Sequence, residues 1–99
     1  MDRLQPLCDF FDAIEKDGRI GSTHISVYTA LLNYRAQHGF TNPIHVFSHQ
    51  IMRSAKIASR MTYYKCVREL SDYGYIIYKH SFKKTKASMI YFKDRKENE

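Results

Sequence analysis

"SHQIMRSAKIASRMTYYKCVRELSDYGYI", residues Ser48 to Ile76, holds two short helical patterns separated only by Lys56-Ile57-Ala58. Ser48 is placed to cap a helix running through Ala55, with Ile51, Met52 and Ala55 facing inward. Ser59 is placed to cap a second helix that runs to Tyr73, with Gly74 as its C′ residue. Tyr63, Cys66, Val67 and Leu70 keep the spacing of one buried stripe, which leaves Arg60, Thr62, Tyr64, Lys65 and Arg68 turned away from the core. So short a link lets the first helix cross the second instead of running beside it, with Ile57 plugging the angle between them.

Upstream, Leu7, Phe10, Phe11 and Ile14 recur at helical spacing, opposite Asp9, Asp12, Glu15 and Lys16. With Pro6 in the first turn and Gly18 as a stop, they predict a helix over 6–16. A longer helix over 22–38 is expected from Ser22 as N-cap to Gly39 as C′, with Ile25, Tyr28, Leu31, Leu32 and Ala36 on its apolar face. Asn42-Pro43 breaks the chain, and Ile44-His45-Val46-Phe47 then reads as a brief strand. Downstream, "YIIYKHSF" and "ASMIYF" are β-prone stretches joined by the polar "KKTK", the pattern of a hairpin. The charged end, 94–99, has no apolar anchor and is expected to fray. The fold class is therefore mainly α with a small β hairpin (α+β), in the order α-α-β-α-α-β-β, as one domain spanning 1–99.

Charge is uneven along the chain. Residues 1–22 hold five acids and three bases, whereas the remainder holds thirteen bases and five acids, giving +6 in total. The cationic part contains the central helix pair, which points to a polyanionic partner. No apolar run is long enough to span a bilayer, and "MDRLQPLCDF" lacks the cationic and apolar segments of a signal peptide, so a cytoplasmic location without membrane contact is expected. Cys8 and Cys66 lie far apart without a CxxC spacing and read as buried free thiols.

Catalytic and metal-binding patterns are thin. His45 and His49 straddle a strand-to-helix junction, so helical i, i+4 metal geometry is not expected. His24, His38 and His80 have no partner in sequence. Asp9, Asp12 and Glu15 fit a solvated helix face better than a pair of catalytic carboxylates. With no glycine-rich phosphate loop or nucleophile elbow, no enzyme activity, cofactor or metal is expected.

The element order, together with Ser59, Thr62, Tyr63, Tyr64, Lys65, Leu70, Gly74, Tyr75 and Ile76 in "SxxTYYKCVREL…GYI", resembles the winged helix-turn-helix family over roughly residues 23–93. The motif is similar to the S-x-x-T-φ-x-[RK]-x-φ-x-x-L-x-x-x-G-φ-I pattern of bacterial regulators and replication-initiator domains, φ being apolar or aromatic. The resemblance implies that positions 59–73 form a recognition helix, with Thr62, Tyr64 and Lys65 as contacts and Tyr63 in the core. It further implies a basic wing over 79–86.

General physics agrees with that expectation. The major groove of B-DNA admits one helix, and Ser59 and Thr62 set hydroxyls beside the N–H groups of a helix start. Arg60, Lys65 and Arg68 add charge there, and Lys79, Lys83, Lys84 and Lys86 add it, with His80, on the hairpin. The expected function is sequence-specific binding of double-stranded DNA as a small transcriptional regulator, with a replication or mobile-element accessory role as the near alternative. A protein-docking winged helix is the rival class, and the hairpin lysines have a plainer use in protecting a sheet edge. RNA binding lacks an aromatic ribonucleoprotein motif or a GxxG loop. No separate small-molecule-sensing domain is expected. A homodimer is expected, joined through helix 6–16, because two small domains on adjacent half-sites gain in effective concentration.

Overall fold

In the computed structural model, which describes residues 3–81, 83 and 85–93, four helices and three strands follow one another along the chain. They are α1 (Gln5–Ile14), α2 (Ser22–Gln37), β1 (Ile44–Val46), α3 (Ser48–Ala55), α4 (Arg60–Asp72), β2 (Ile76–Lys79) and β3 (Ser88–Phe92). The class is α+β. Of the expected features, Lys84 and the end at 94–99 lie outside the described residues. No helix among the described residues is long and apolar enough to cross a membrane.

The junction between α3 and α4 is built as its sequence requires. Lys56 takes a left-handed conformation with φ 61°, and the Ile57 N–H reaches back to the Met52 carbonyl at 3.0 Å, which closes α3. Ile57 packs against the core from the turn. Ser59 then caps α4, its hydroxyl oxygen accepting the Thr62 N–H at 3.2 Å. At the far end Gly74, with φ 93°, lets the Tyr75 N–H close on the Leu70 carbonyl at 2.9 Å.

Two expected caps shift by one residue. Gly21 and Phe47, not Ser22 and Ser48, occupy the N-cap positions of α2 and α3. In each case the side chain three residues on reaches back to the N-cap N–H: His24 Nδ1 accepts from Gly21 at 3.0 Å, and Gln50 Oε1 from Phe47 at 2.9 Å.

Tyr63, Val67 and Leu70 of α4 meet Val27 and Leu31 of α2, Ile51 of α3 and Ile44, Ile76 and Ile90 of the sheet in the core. The buried face of α2 differs from the expected one. His24, Val27, Tyr28, Ala30 and Leu31 are buried, Ile25 and Leu32 only partly, and Ala36 is exposed. Cys66 is buried as expected, but Cys8 is exposed because the side of α1 that carries it faces away from α2.

The three expected strands form one antiparallel sheet, β1-β3-β2, in which the brief strand pairs with the second strand of the hairpin. Ile44 pairs with Ile90 and Ile90 with Tyr78, so one face of β1, β2 and β3 is shared across the sheet. The Asn42 side-chain amide extends this ladder, donating to the Phe92 carbonyl at 2.8 Å and accepting the Phe92 N–H at 2.9 Å. Both outer edges receive a side chain. The Tyr34 hydroxyl donates to the His45 carbonyl at 3.0 Å, and Ser71 Oγ accepts the Tyr78 N–H at 3.2 Å.

Candidate nucleic-acid interface

One side of α4 faces α2, α3 and the sheet, and the other faces solvent. At 100° per residue, Met61, Lys65, Arg68 and Asp72 fall directly opposite the buried stripe of Tyr63, Cys66, Val67 and Leu70, and all four are exposed. Thr62 flanks this crest on one side and Tyr64 on the other. Tyr64 is half-buried, contrary to the expectation that it turns away from the core. Its ring meets Tyr63 and His80 edge-on, with centroids 5.3 Å and 5.8 Å apart.

The hairpin is held beside α4 by the contact of Tyr64 with His80 and by the Tyr78 N–H bond to Ser71 Oγ, and it is braced by its own hydrogen bonds. The Tyr78 hydroxyl and His80 Nδ1 are 2.7 Å apart. Ser88 Oγ accepts the Ser81 N–H at 3.2 Å, and the Lys83 carbonyl accepts the Lys86 N–H at 3.1 Å, which braces the connection between the strands.

Between the start of α3, α4 and the hairpin lies an open cleft of about 590 Å³. Arg60, Lys83 and Lys86 line it, with His49, His80, Tyr64, Tyr78 and the hydroxyl groups of Ser48, Ser81 and Ser88. No carboxylate is found among its described lining residues. Burial raises the Tyr78 hydroxyl above the usual phenol range. Chemically, the cleft offers cations, hydroxyls and aromatic faces, a set suited to phosphodiester and sugar groups.

Of the residues expected at the site, Arg60, Tyr64, Lys83 and Lys86 come together in the cleft, while Lys65 and Arg68 stand on the adjoining crest. Ser59 is exposed at the cap and Thr62 exposed beside it. Lys79 departs from the group. Paired with Met89, it lies on the outer face of the sheet, its ammonium 5.4 Å from the Tyr91 ring centroid. The sequence reading did not single out Met61 or Tyr78 and weighed His49 only as a metal ligand; helical periodicity alone would have put Met61 on the crest.

Behind the site, two polar contacts set how α4 sits. His24 Nε2 and Glu69 Oε1 lie 2.8 Å apart. Asp17 receives the Tyr75 hydroxyl at 2.6 Å and the Arg19 guanidinium at 2.8 Å, and Arg19 also stacks 4.1 Å above the Tyr73 ring. Arg19, and then the Tyr75 hydroxyl, hold the Asp17 carboxyl well below the usual carboxylate range. Among the described residues, no group of three histidines, cysteines or acids could hold a metal ion.

Comparison of the chain with protein-family models, with curated proteins and with solved structures found no match in any of the three.

Proposed function

We propose that this chain is a winged helix-turn-helix domain that binds double-stranded DNA in a sequence-specific manner, as a small transcriptional regulator. One observation carries the reading: Arg60 from α4 and Lys83 and Lys86 from the hairpin, distant in sequence, line one cleft without a carboxylate among its described residues. Cations separated by a cleft fit two strands of phosphates better than a compact anion. In this reading α4 enters the major groove by its crest, α3 braces it from behind, and the β2–β3 hairpin lies along the neighbouring backbone. Lys65 and Arg68 reach base edges or phosphates, while Arg60, Lys83 and Lys86 hold phosphates. Replication or mobile-element accessory binding would use the same surface.

Neutralising roughly four to six phosphates makes log affinity fall with log salt at a slope of about −4 to −5. Titration of a fluorescent duplex at several salt concentrations measures it. A flat dependence overturns phosphate contact as the source of affinity.

A second surface favours self-association. Leu4, the N-cap residue of α1, is 63% exposed and Phe11 within the helix 45%, with the exposed Cys8 between them at helical spacing. This stripe, rather than the expected face of Leu7, Phe10, Phe11 and Ile14, is the one open to a second copy. Phe10 is buried within its own chain, and Leu7 and Ile14 are partly covered. A two-fold dimer through it would present two α4 helices to successive turns of a duplex.

A further inference from the structure

Met61 is the most exposed of the large apolar side chains that the structure describes, at 80%. A single apolar side chain at the surface needs no explanation by itself. Its position gives it one. Met61 occupies the first turn of α4 on the crest shared with Lys65 and Arg68, and Arg60 and Thr62 stand on either side of it in sequence, all exposed. The crest carries two cations, Lys65 and Arg68, and at its far end one acid, Asp72, while Arg60 adds a third cation beside Met61. A partner that engages its first two turns carries negative charge and offers an apolar group to Met61.

Resting on the reading of α4 as the helix that enters the major groove, we propose that Met61 docks on the C5-methyl group of a thymine. A T·A pair beneath the first turn of α4 is then a required element of the target. The argument follows from what the groove displays. Every base edge there presents hydrogen-bond donors or acceptors, and the thymine methyl is its apolar feature. An unbranched thioether has no hydrogen bond to offer a polar edge, but adapts its shape to a methyl group. Over guanine, cytosine or adenine the same side chain would cover a polar edge without satisfying it, which is unfavourable. Lys65 and Arg68, one and two turns further along, are placed to read or anchor the following positions. Met61 thus contributes discrimination, and the cations contribute attraction.

The test begins with duplexes selected from a random pool by the intact chain. Each thymine in the selected site is replaced in turn by deoxyuridine, which deletes one methyl group and leaves every hydrogen-bonding group in place. At one position per bound chain the affinity is expected to fall about fourfold, the effect of leaving one methyl group unburied. Met61→Ala, a change at an exposed position that leaves the fold intact by circular dichroism, should bind the selected duplex more weakly and no longer distinguish thymine from uracil there. Insensitivity of the wild type to deoxyuridine at every position overturns the proposal, and so does a thymine preference that survives in Met61→Ala. Both of those outcomes leave salt-dependent duplex binding standing. Failure of the underlying reading looks different: the wild type then enriches no duplex from the pool, and the proposal falls with it.

Discussion

His24 and Glu69 join the third residue of α2 to the last third of α4, with 2.8 Å between Nε2 and Oε1. The direction of the bond follows from the other ring nitrogen. Nδ1 accepts the Gly21 N–H, so Nε2 carries the hydrogen and donates it to the carboxylate. A contact on one flank of α4 resists rotation of the helix about its axis, and that rotation decides which residues form the exposed crest. Glu69→Gln retains an acceptor oxygen and should fold nearly as well as the wild type. Glu69→Ala leaves the largely buried imidazole donor unpaired and should cost about 1–3 kcal/mol. Urea unfolding of the two variants compares these values. Equal stability would mean that the imidazole finds another acceptor.

A second tie, between Asp17 and Tyr75, has its own pH signature. The folded state holds the Asp17 carboxyl below its unfolded value of about 4. Its contribution is therefore complete above that value and is lost as pH falls toward the lower folded value. Tyr75 shifts the opposite way, pushed up to about 12, first by burial and then by the bond to Asp17. Its contribution is complete below the ordinary phenol value of about 10 and is lost as pH rises toward 12. Thermal midpoints of Asp17→Asn and the wild type should differ at neutral pH and draw together progressively as pH falls below about 4. A constant difference across that range would remove the carboxylate as the cause.

The central helix pair was legible in the sequence because its signals are local. A polar cap at Ser59, a glycine at Gly74 and one buried stripe lie within a few turns of each other. The buried face of α2 was legible only in part: Tyr28 and Leu31 are buried as expected and Ile25 and Leu32 pack against the core, but the face is turned away from Ala36. The missed residues are Val27, Ala30 and His24, whose side chains do not stand out from a helix that has apolar groups on several sides. The strand at Ile44–Val46 was legible, but its partner was not, since β1 pairs with β3, far along the chain, where Asn42 and Ile44 meet Phe92 and Ile90. Lys79 is a different case. Strand alternation with Ile76 and Tyr78 turned to the core face already put Lys79 with Ile77 on the other face.

The two phenylalanines of α1 should behave oppositely. Phe10 stacks on Tyr28 with centroids 3.9 Å apart and meets Tyr75 edge-on at 5.4 Å. Phe10→Ala should cost about 3–5 kcal/mol of stability, as for other buried phenylalanines. Phe11→Glu with Leu4→Glu changes positions that are partly or largely exposed, Phe11 touching Phe10 only edge-on with centroids 6.0 Å apart, and should cost far less than Phe10→Ala at concentrations where the chain is monomeric. If the outer stripe of α1 joins two copies, the same double variant sediments as a monomer at concentrations where the wild type sediments as a dimer. A wild type that stays monomeric at high micromolar concentration, free and on DNA, removes that interface.

Lys79 and the pair Lys83 and Lys86 belong to the same hairpin yet face different surroundings, so they separate phosphate contact from mere positive charge. Lys83 and Lys86 line the cleft beside Arg60, whereas Lys79 lies over Tyr91 on the outer face of the sheet. Lys83→Ala with Lys86→Ala should weaken binding to all duplexes alike and make the salt slope shallower by about 2, one for each phosphate released. Lys79→Ala removes a charge from the same strand pair but no cleft contact, and should leave the slope unchanged. Arg60→Ala should resemble one of the cleft lysines. Were the three lysines to contribute equally, long-range attraction by net charge would explain the affinity, and the cleft would lose its special role. A double variant that binds as the wild type does would instead reduce the hairpin lysines to guards of a sheet edge.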